Sequence, residues 1–166
     1  MPLTCIVLAA GFSRRLGYPK QLVQFEGETL LARASRIARE VGRTIVVTRA
    51  EFAPLVPDAI VNDEAEEGIA SSIRAGVRAC DGDVLLMLCD QPRITVEHLR
   101  ALIDAHAPIA ATAYAGTLGV PAFFTAKFRE ELLALRGDAG AKRVIEAHRE
   151  VVAGVAFEDA AIDVDV

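Results

Sequence analysis

The sequence predicts an α/β three-layer sandwich built around a mainly parallel sheet. Short β-branched or apolar runs alternate with amphipathic segments of helical spacing from one end of the chain to the other. Two of the runs, Leu3 to Leu8 and Asp83 to Leu88, are apolar almost throughout, as strands covered on both faces must be. No linker, repeat or low-complexity tract divides the 166 residues, so residues 1–166 read as one domain, long enough to bury a substantial core.

Taken in order, Leu3 to Leu8 is the first strand. Leu30, Leu31, Ala34, Ile37, Ala38 and Val41 then recur at helical spacing, with Gly42 placed to end that helix. The run Thr44-Ile45-Val46-Val47 within Arg43 to Thr48 predicts a second strand, and Ala59 to Val61 a short third. Ile69, Ile73, Val77 and Cys80 mark the buried face of the next helix. Asp83 to Leu88 is a central strand that ends at Asp90. Thr95 reads as the N-cap of a helix whose core face is Leu99, Leu102 and Ile103. Pro108 to Tyr114 and Val120 to Phe124 predict two more strands. Thr125 and Asp138 are candidate N-caps of two late helices, and Val151 to Phe157 and Ile162 to Val166 are candidate final strands.

The formal charge of −5 excludes a basic face for nucleic acid and a polybasic membrane anchor. No apolar run approaches the ~20 residues that span a bilayer. Cys5, Cys80 and Cys89 are odd in number and form no C-x-x-C, which fits a reducing compartment, and the chain reads as soluble and cytoplasmic.

The segment with most chemical content is Ile6 to Lys20, I-V-L-A-A-G-F-S-R-R-L-G-Y-P-K. An apolar strand runs into Ala9, Ala10 and Gly11, whose small side chains let backbone N–H groups approach a ligand closely. Arg14, Arg15 and Lys20 then place a local positive charge in an acidic chain, which suits a small anion. Spacing excludes a P-loop, because Lys20 does not follow Gly17 directly. It also excludes the G-x-G-x-x-G dinucleotide turn, because position 13 is Ser and Pro19 disfavours helix entry. Ligands of open α/β sheets sit beyond the carboxyl ends of strands, so this loop and Asp90 should converge.

Leu8, Ala9, Ala10, Gly11, Ser13, Arg15, Gly17 and Lys20 fill the signature L-A-A-G-x-S-x-R-x-G-x-x-K, with Leu16 where Met is usual. In this the chain resembles the MobA-like nucleotidyltransferases. Leu88-Cys89-Asp90-Gln91-Pro92 resembles the C-D-Q-P of the branch that contains molybdenum cofactor cytidylyltransferases. Further likenesses run through Asn62 to Ser72, Gly119 to Phe124 and Gly137-Asp138-x-Gly140-Ala141. The resemblance implies a Rossmann-like mixed sheet of the nucleotide-diphospho-sugar transferase type, with at least one antiparallel strand. It implies Mg²⁺-dependent transfer of CMP from CTP to a phosphorylated acceptor such as molybdopterin, with a molybdoenzyme as a further partner.

It also implies roles. Lys20 and Arg15 hold the triphosphate, and Leu8, Ala9, Ala10, Gly11 and Ser13 wrap it. Asp90 binds the metal, where the residues alone would equally allow a turn Asp. Asp163 and Asp165 match the first part of a C-terminal D-I-D-T-P-E-D element and are the second candidate metal ligands, or else a polar tail. Ser71 and Ser72 either face an anion at a helix N-terminus or are ordinary caps. Asp63, Glu64, Glu66 and Glu67 read as a solvated acidic turn. Val120 stands in a G-x-P element where relatives often have His. His98, His106 and His148 lack metal spacing and are expected at the surface or at helix ends. Two other functions remain open: the same chemistry on another phosphorylated metabolite or sugar phosphate, and a non-catalytic protein that binds and delivers a nucleotide or cofactor.

Overall fold

In the computed structural model, which describes residues 2–13 and 16–162, one seven-stranded sheet organises the chain. Its strands are β1 (Leu3–Ala9), β4 (Arg43–Thr48), β5 (Ala59–Val61), β6 (Asp83–Leu88), β7 (Ile109–Tyr114), β8 (Thr117–Phe124) and β9 (Val152–Ala156). A small separate hairpin pairs β2 (Gln24–Phe25) with β3 (Glu28–Thr29). The order across the large sheet is β5-β4-β1-β6-β8-β7-β9. All neighbours are parallel except β8, which runs antiparallel to both β6 and β7. The expected mixed, mainly parallel sheet is therefore present.

The apolar runs fold as central strands because each face of the sheet has its own core. Along β1, Cys5, Val7 and Ala9 face one core and Ile6 and Leu8 the other. In β6, Leu85 and Met87 alternate with Val84 and Leu86 in the same way. Helices α1 (Leu30–Arg39) and α3 (Val96–Asp104) bring Leu31, Ala34, Ile37, Leu99 and Leu102 to the first face. Helices α2 (Ile69–Arg78), α4 (Arg129–Leu133) and α5 (Ala141–Ala147) bring Ile73, Val77, Leu132, Val144 and Ile145 to the second.

Chain order fixes where a ligand can sit. From β1 the chain moves outward to β4 and β5, then returns through α2 to β6 on the other side of β1. That reversal leaves a crevice beyond the carboxyl ends of β1 and β6.

Several local expectations change. Thr95 caps α3, its hydroxyl accepting from His98 N–H, but α1 is capped by Thr29, which accepts from Ala32 N–H. Helix α1 stops at Arg39, and Gly42 contributes its N–H to the Ala38 carbonyl without a left-handed backbone. Thr125 holds the N-cap position of the 3-10 turn Ala126–Phe128, but its hydroxyl turns to the Pro108 carbonyl and makes no capping bond. Asp138 is not the N-cap of α5; Gly140 holds that position. After β9 the chain makes a 3-10 turn at Glu158–Ala161, and Ile162 is not in a strand; the remainder of that candidate strand lies outside the described residues. Among the described residues, no helix is long and apolar enough to cross a membrane.

His98 is the largest departure. It is buried beside β7, where its ring stacks on Phe157 at 4.4 Å and its Nε2 lies 2.8 Å from Thr112 Oγ1. Thr112 commits its hydroxyl proton to the Pro121 carbonyl, 2.6 Å away, so His98 Nε2 must carry the proton between them. Burial pushes the His98 pKa down to about 4.

Candidate nucleotide site

A cavity of about 380 Å³ lies over the carboxyl ends of β1 and β6. Leu8, Ala9, Ala10, Gly11 and Ser13 from the first loop line it, as do Lys20, Ser72 and Asp90. The two motifs that the sequence places at separate strand ends thus share one space.

The first loop is held by side chains that point inward. Gln21 is 2% exposed, and its Nε2 donates to the carbonyls of Ala9 and Gly11 at 2.8 and 3.0 Å. Ser13 Oγ accepts from Lys20 N–H at 2.8 Å, and Ser13 O accepts from Gly17 N–H at 3.1 Å. Accepting there leaves the Ser13 hydroxyl proton to point elsewhere. Gly11 itself is not demanded by the fold. Its φ is outside the left-handed region, and a Cβ there would meet nothing within 4 Å. Close approach of a ligand to the backbone is the remaining physical reason for a glycine.

The second loop is clamped from both sides. Gln91 Nε2 donates to the carbonyls of Val120 and Ala160 at 3.2 and 3.1 Å. Arg33 Nε donates to the Pro92 carbonyl at 2.7 Å. Between these anchors, Asp90 Oδ2 lies 3.3 Å from Lys20 Nζ, both side chains about one-fifth exposed. Burial, reinforced by the Asp90 charge, pushes the neighbouring Cys89 thiol up to about 12. Cys89 therefore stays a neutral packing group and offers no thiolate to a metal.

The third wall comes from α2. Asn62 Nδ2 donates to the hydroxyls of both Ser71 and Ser72, at 2.9 and 3.0 Å. Ser71 returns its proton to the Gly68 carbonyl at 2.8 Å and does not line the cavity; Ser72 does. Both serines lie inside the first turn of α2 rather than at its cap, which belongs to Gly68.

Asp63, Glu64, Glu66 and Glu67 are exposed, as a solvated acidic turn requires, but Glu67 does more than face solvent. It pairs with Arg74, which is 5% exposed, and its Oε2 accepts from Gly137 N–H at 2.9 Å. The Arg74 hydrogen bonds, then the one from Gly137, hold the Glu67 carboxyl down at about 2. Arg74 also donates to the Leu135 carbonyl, and Ala70 N–H to the Gly137 carbonyl. These contacts fasten the loop after α4 to the start of α2 and bring Asp138 to the cavity.

Arg15, Asp163 and Asp165 lie outside the described residues. Among the described residues, no three His, Cys, Asp or Glu side chains group closely enough to enclose a metal. A hard divalent cation nonetheless fits the donor set. Mg²⁺ takes one or two carboxylates and fills its sphere with phosphate oxygens and water, and Asp90 offers a carboxylate at a cavity that also holds Lys20. Sequence reasoning missed Gln21, Glu66 and Asp138 as lining residues, and Arg74 as a support of the loop that carries Asp138. A buried Gln between Lys20 and Leu22 carries a signal only as a polar residue in an apolar stretch.

Residues 5–151 match the model of the MobA-like NTP transferase domain. The chain belongs to the MobA-like NTP transferase family. Among family relatives and structural neighbours, the chain is 30% identical over 164 residues to the purine catabolism protein PucB of Bacillus subtilis, covering 86% of this chain and 80% of that one. It is 30% identical over 110 residues to a probable molybdenum cofactor guanylyltransferase of Synechococcus elongatus, covering 61% of this chain and 57% of the relative. In structure it resembles Rv0371c of Mycobacterium tuberculosis, with a TM-score of 0.86, 30% identity, and 99% and 93% of the two chains covered. A manganese complex of that protein superposes with a TM-score of 0.80 at 27% identity, covering 100% and 93%. The MobA-like match includes the loop from Ala9 to Lys20, Asp90 and the Gly137–Ala141 segment.

Proposed function

We propose that this MobA-like chain transfers a nucleotidyl group from a nucleoside triphosphate to a phosphorylated small-molecule acceptor and releases pyrophosphate. The observation that carries the proposal is the meeting of Lys20 and Asp90 in one cavity beside a loop whose Gly11 answers to no demand of the fold.

An oxygen of the acceptor phosphate forms a bond to the α-phosphorus, the bond from that phosphorus to the bridging β-phosphate oxygen breaks, and pyrophosphate leaves. Such a reaction asks the protein for position and charge neutralisation, not for covalent participation. Lys20 stabilises the α-phosphoryl oxygens, the backbone of Ala9, Ala10 and Gly11 and the Ser13 hydroxyl hold the triphosphate, and Arg15 holds the departing pyrophosphate. Asp90 would hold Mg²⁺ or Mn²⁺, with Asp163 and Asp165 as the further candidate ligands. When bound, that cation neutralises charge on the phosphate oxygens.

For the donor we propose CTP, because Ala10 lines the cavity and carries a methyl that would leave a purine less room than glycine, and for the acceptor molybdopterin. GTP is the second reading, favoured by the guanylyltransferase relatives, although the chain spans only 48–57% of the length of those in Syntrophotalea carbinolica and Synechococcus. Incubating the purified chain with molybdopterin, Mg²⁺ or Mn²⁺ and each triphosphate in turn tests the proposal. Metal-dependent pyrophosphate release, greatest with CTP, is the expected result. Release greatest with GTP overturns the donor assignment, and no release with any triphosphate overturns the catalytic one.

A further inference from the structure

The cavity straddles the carboxyl end of the sheet, and its two sides differ in charge. Lys20 lies on the side of α1, where the following Leu22 packs into the same core as Leu31 and Ala34. Gly68, Ile69, Ser72 and Asp138 lie on the side of α2, whose Ile73 and Val77 pack into the opposite core. Among the described lining residues, Lys20 is the one cation, while Glu66 and Asp138 put carboxylates on the α2 side. Without a cation between them, the charges of a triphosphate are repelled by those carboxylates. The end of a nucleotide that can face them is the base, where it carries N–H donors.

Asp138 is built for such a contact. Its loop is fixed from both neighbouring segments: Gly137 donates to Glu67 and accepts from Ala70, and Arg74 holds Leu135. Gly68 has φ +126°, and a Cβ on it would collide with Asp138 Oδ1. The carboxylate therefore rests directly over the bare Gly68 backbone. Among the described residues none donates a hydrogen bond to it. Glu66, exposed like Asp138, stands on a short 3-10 turn and has a longer side chain to order.

We propose that Asp138 is a specificity residue that reads the base of the donor nucleotide. Its carboxylate accepts a hydrogen bond from amino or imino donors on the pairing edge, the N4 amino group of cytosine or the N1 and N2 hydrogens of guanine. Uracil presents a carbonyl at position 4 and carries its N–H at N3 instead, and hypoxanthine keeps N1–H but lacks the N2 amino group, so a carboxylate set against the cytosine amino group, or against the paired N1 and N2 hydrogens of guanine, loses a donor in each case. This inference rests on the nucleotidyltransferase reading and names what that site recognises.

Binding of CTP, UTP, GTP and ITP to the full chain, with Mg²⁺ present, tests it. Each pair differs at the groups in question: CTP and UTP at position 4 and N3, GTP and ITP by the N2 amino group. In the wild-type protein, CTP should bind at least about tenfold more tightly than UTP, or GTP than ITP, the scale of one charge-assisted hydrogen bond. The pair that responds identifies the base. Asp138→Ala should bring that ratio to within about threefold, while Glu66→Gln keeps it. Lys20→Ala should weaken all four triphosphates and leave the ratio in place. A ratio that survives Asp138→Ala, one that collapses only in Glu66→Gln, or a wild-type protein without either preference overturns the assignment. A wild-type protein that binds none of the four fails the nucleotidyltransferase reading itself. Asp138 is exposed, so its truncation should leave the melting temperature close to wild type.

Discussion

Lys20 and Asp90 lie 70 residues apart in the chain and 3.3 Å apart in the fold. Neither is held by the other alone. Ser13 fixes the Lys20 backbone, while Gln91 and Arg33 clamp the segment that carries Asp90. At about one-fifth exposure the pair adds little net stability, because the cost of desolvating both charges offsets most of their attraction. On the proposed function its value lies in arrangement: a cation and a carboxylate placed in advance for a triphosphate and its counter-ion would require little reorganisation on binding.

Lys20→Ala should lower pyrophosphate release by roughly 100-fold, or ~3 kcal/mol, the usual scale for removing one preorganised electrostatic group. The melting temperature should hardly move, since the lost ion pair is partly solvated. A folded variant with wild-type turnover would remove Lys20 from the chemistry.

Asp90→Asn keeps the shape of the side chain and removes its charge. A residue that only shapes a turn would tolerate the change, because Asn makes the same local bonds. A residue that binds a cation would not. The Mg²⁺ or Mn²⁺ concentration needed for half-maximal pyrophosphate release should rise at least about tenfold in Asp90→Asn. An unchanged metal requirement would return Asp90 to the turn.

The parts of the molecule written in local sequence were legible. The two-sided apolar runs of β1 and β6 identify central strands, and strand ends identify where Gly11 and Asp90 must meet. What escaped reading depends on partners far along the chain. Arg74 reaches Leu135 across 61 residues, and Glu67 reaches Gly137 across 70. No spacing rule joins such positions, so the sequence shows that the acidic run is solvated but not that one of its exposed members, Glu67, fastens a loop. His98 was misplaced for the same reason: its partners Thr112 and Phe157 lie on elements that only the fold brings together. The β2–β3 hairpin was missed because each of its strands has only two residues.

Buried His98 should make stability depend on pH. Its folded pKa of about 4 lies below the 6.5 of an exposed imidazole, with burial as the cause. Below pH 6.5 the unfolded chain takes up a proton that the folded chain refuses. The contribution is therefore fully present above pH 6.5 and lost as pH falls toward 4. By pH 5 the loss should reach about 2 kcal/mol. His98→Gln retains an N–H donor for Thr112 but cannot titrate. Urea denaturation at pH 7 and pH 5 should give a smaller drop for His98→Gln than for wild type. Equal drops would mean that His98 is not held neutral by the fold.

Glu67 acts lower on the scale. Its folded pKa of about 2 lies below the 4.5 of an ordinary glutamate, first through the Arg74 hydrogen bonds and then through that from Gly137. Its stabilisation is present above pH 4.5 and disappears as pH falls through 2. Glu67→Gln should be less stable than wild type at pH 7, with the gap closing between pH 4.5 and 2. Thermal melting across that window reads the difference, and a gap that stays constant would show that the carboxylate charge contributes nothing.

Gly68 is the point where the α2 wall and the Asp138 loop touch, and glycine is required there for two separable reasons. Its φ of +126° is a conformation that side chains rarely adopt, and a Cβ would strike both the Asp138 carboxylate and the Gly137 carbonyl. Gly68→Ala should cost about 2 kcal/mol, which in a chain of this size lowers the melting temperature by roughly 4–8 °C. Asp138→Ala alone should cost little. In the double variant the side-chain collision is relieved, but the backbone strain and the Gly137 contact remain, so only part of the loss should return. Melting curves of the four proteins measure both contributions. A Gly68→Ala protein that melts with wild type would mean that the loop yields freely, and Asp138 could not then be a fixed wall of the cavity.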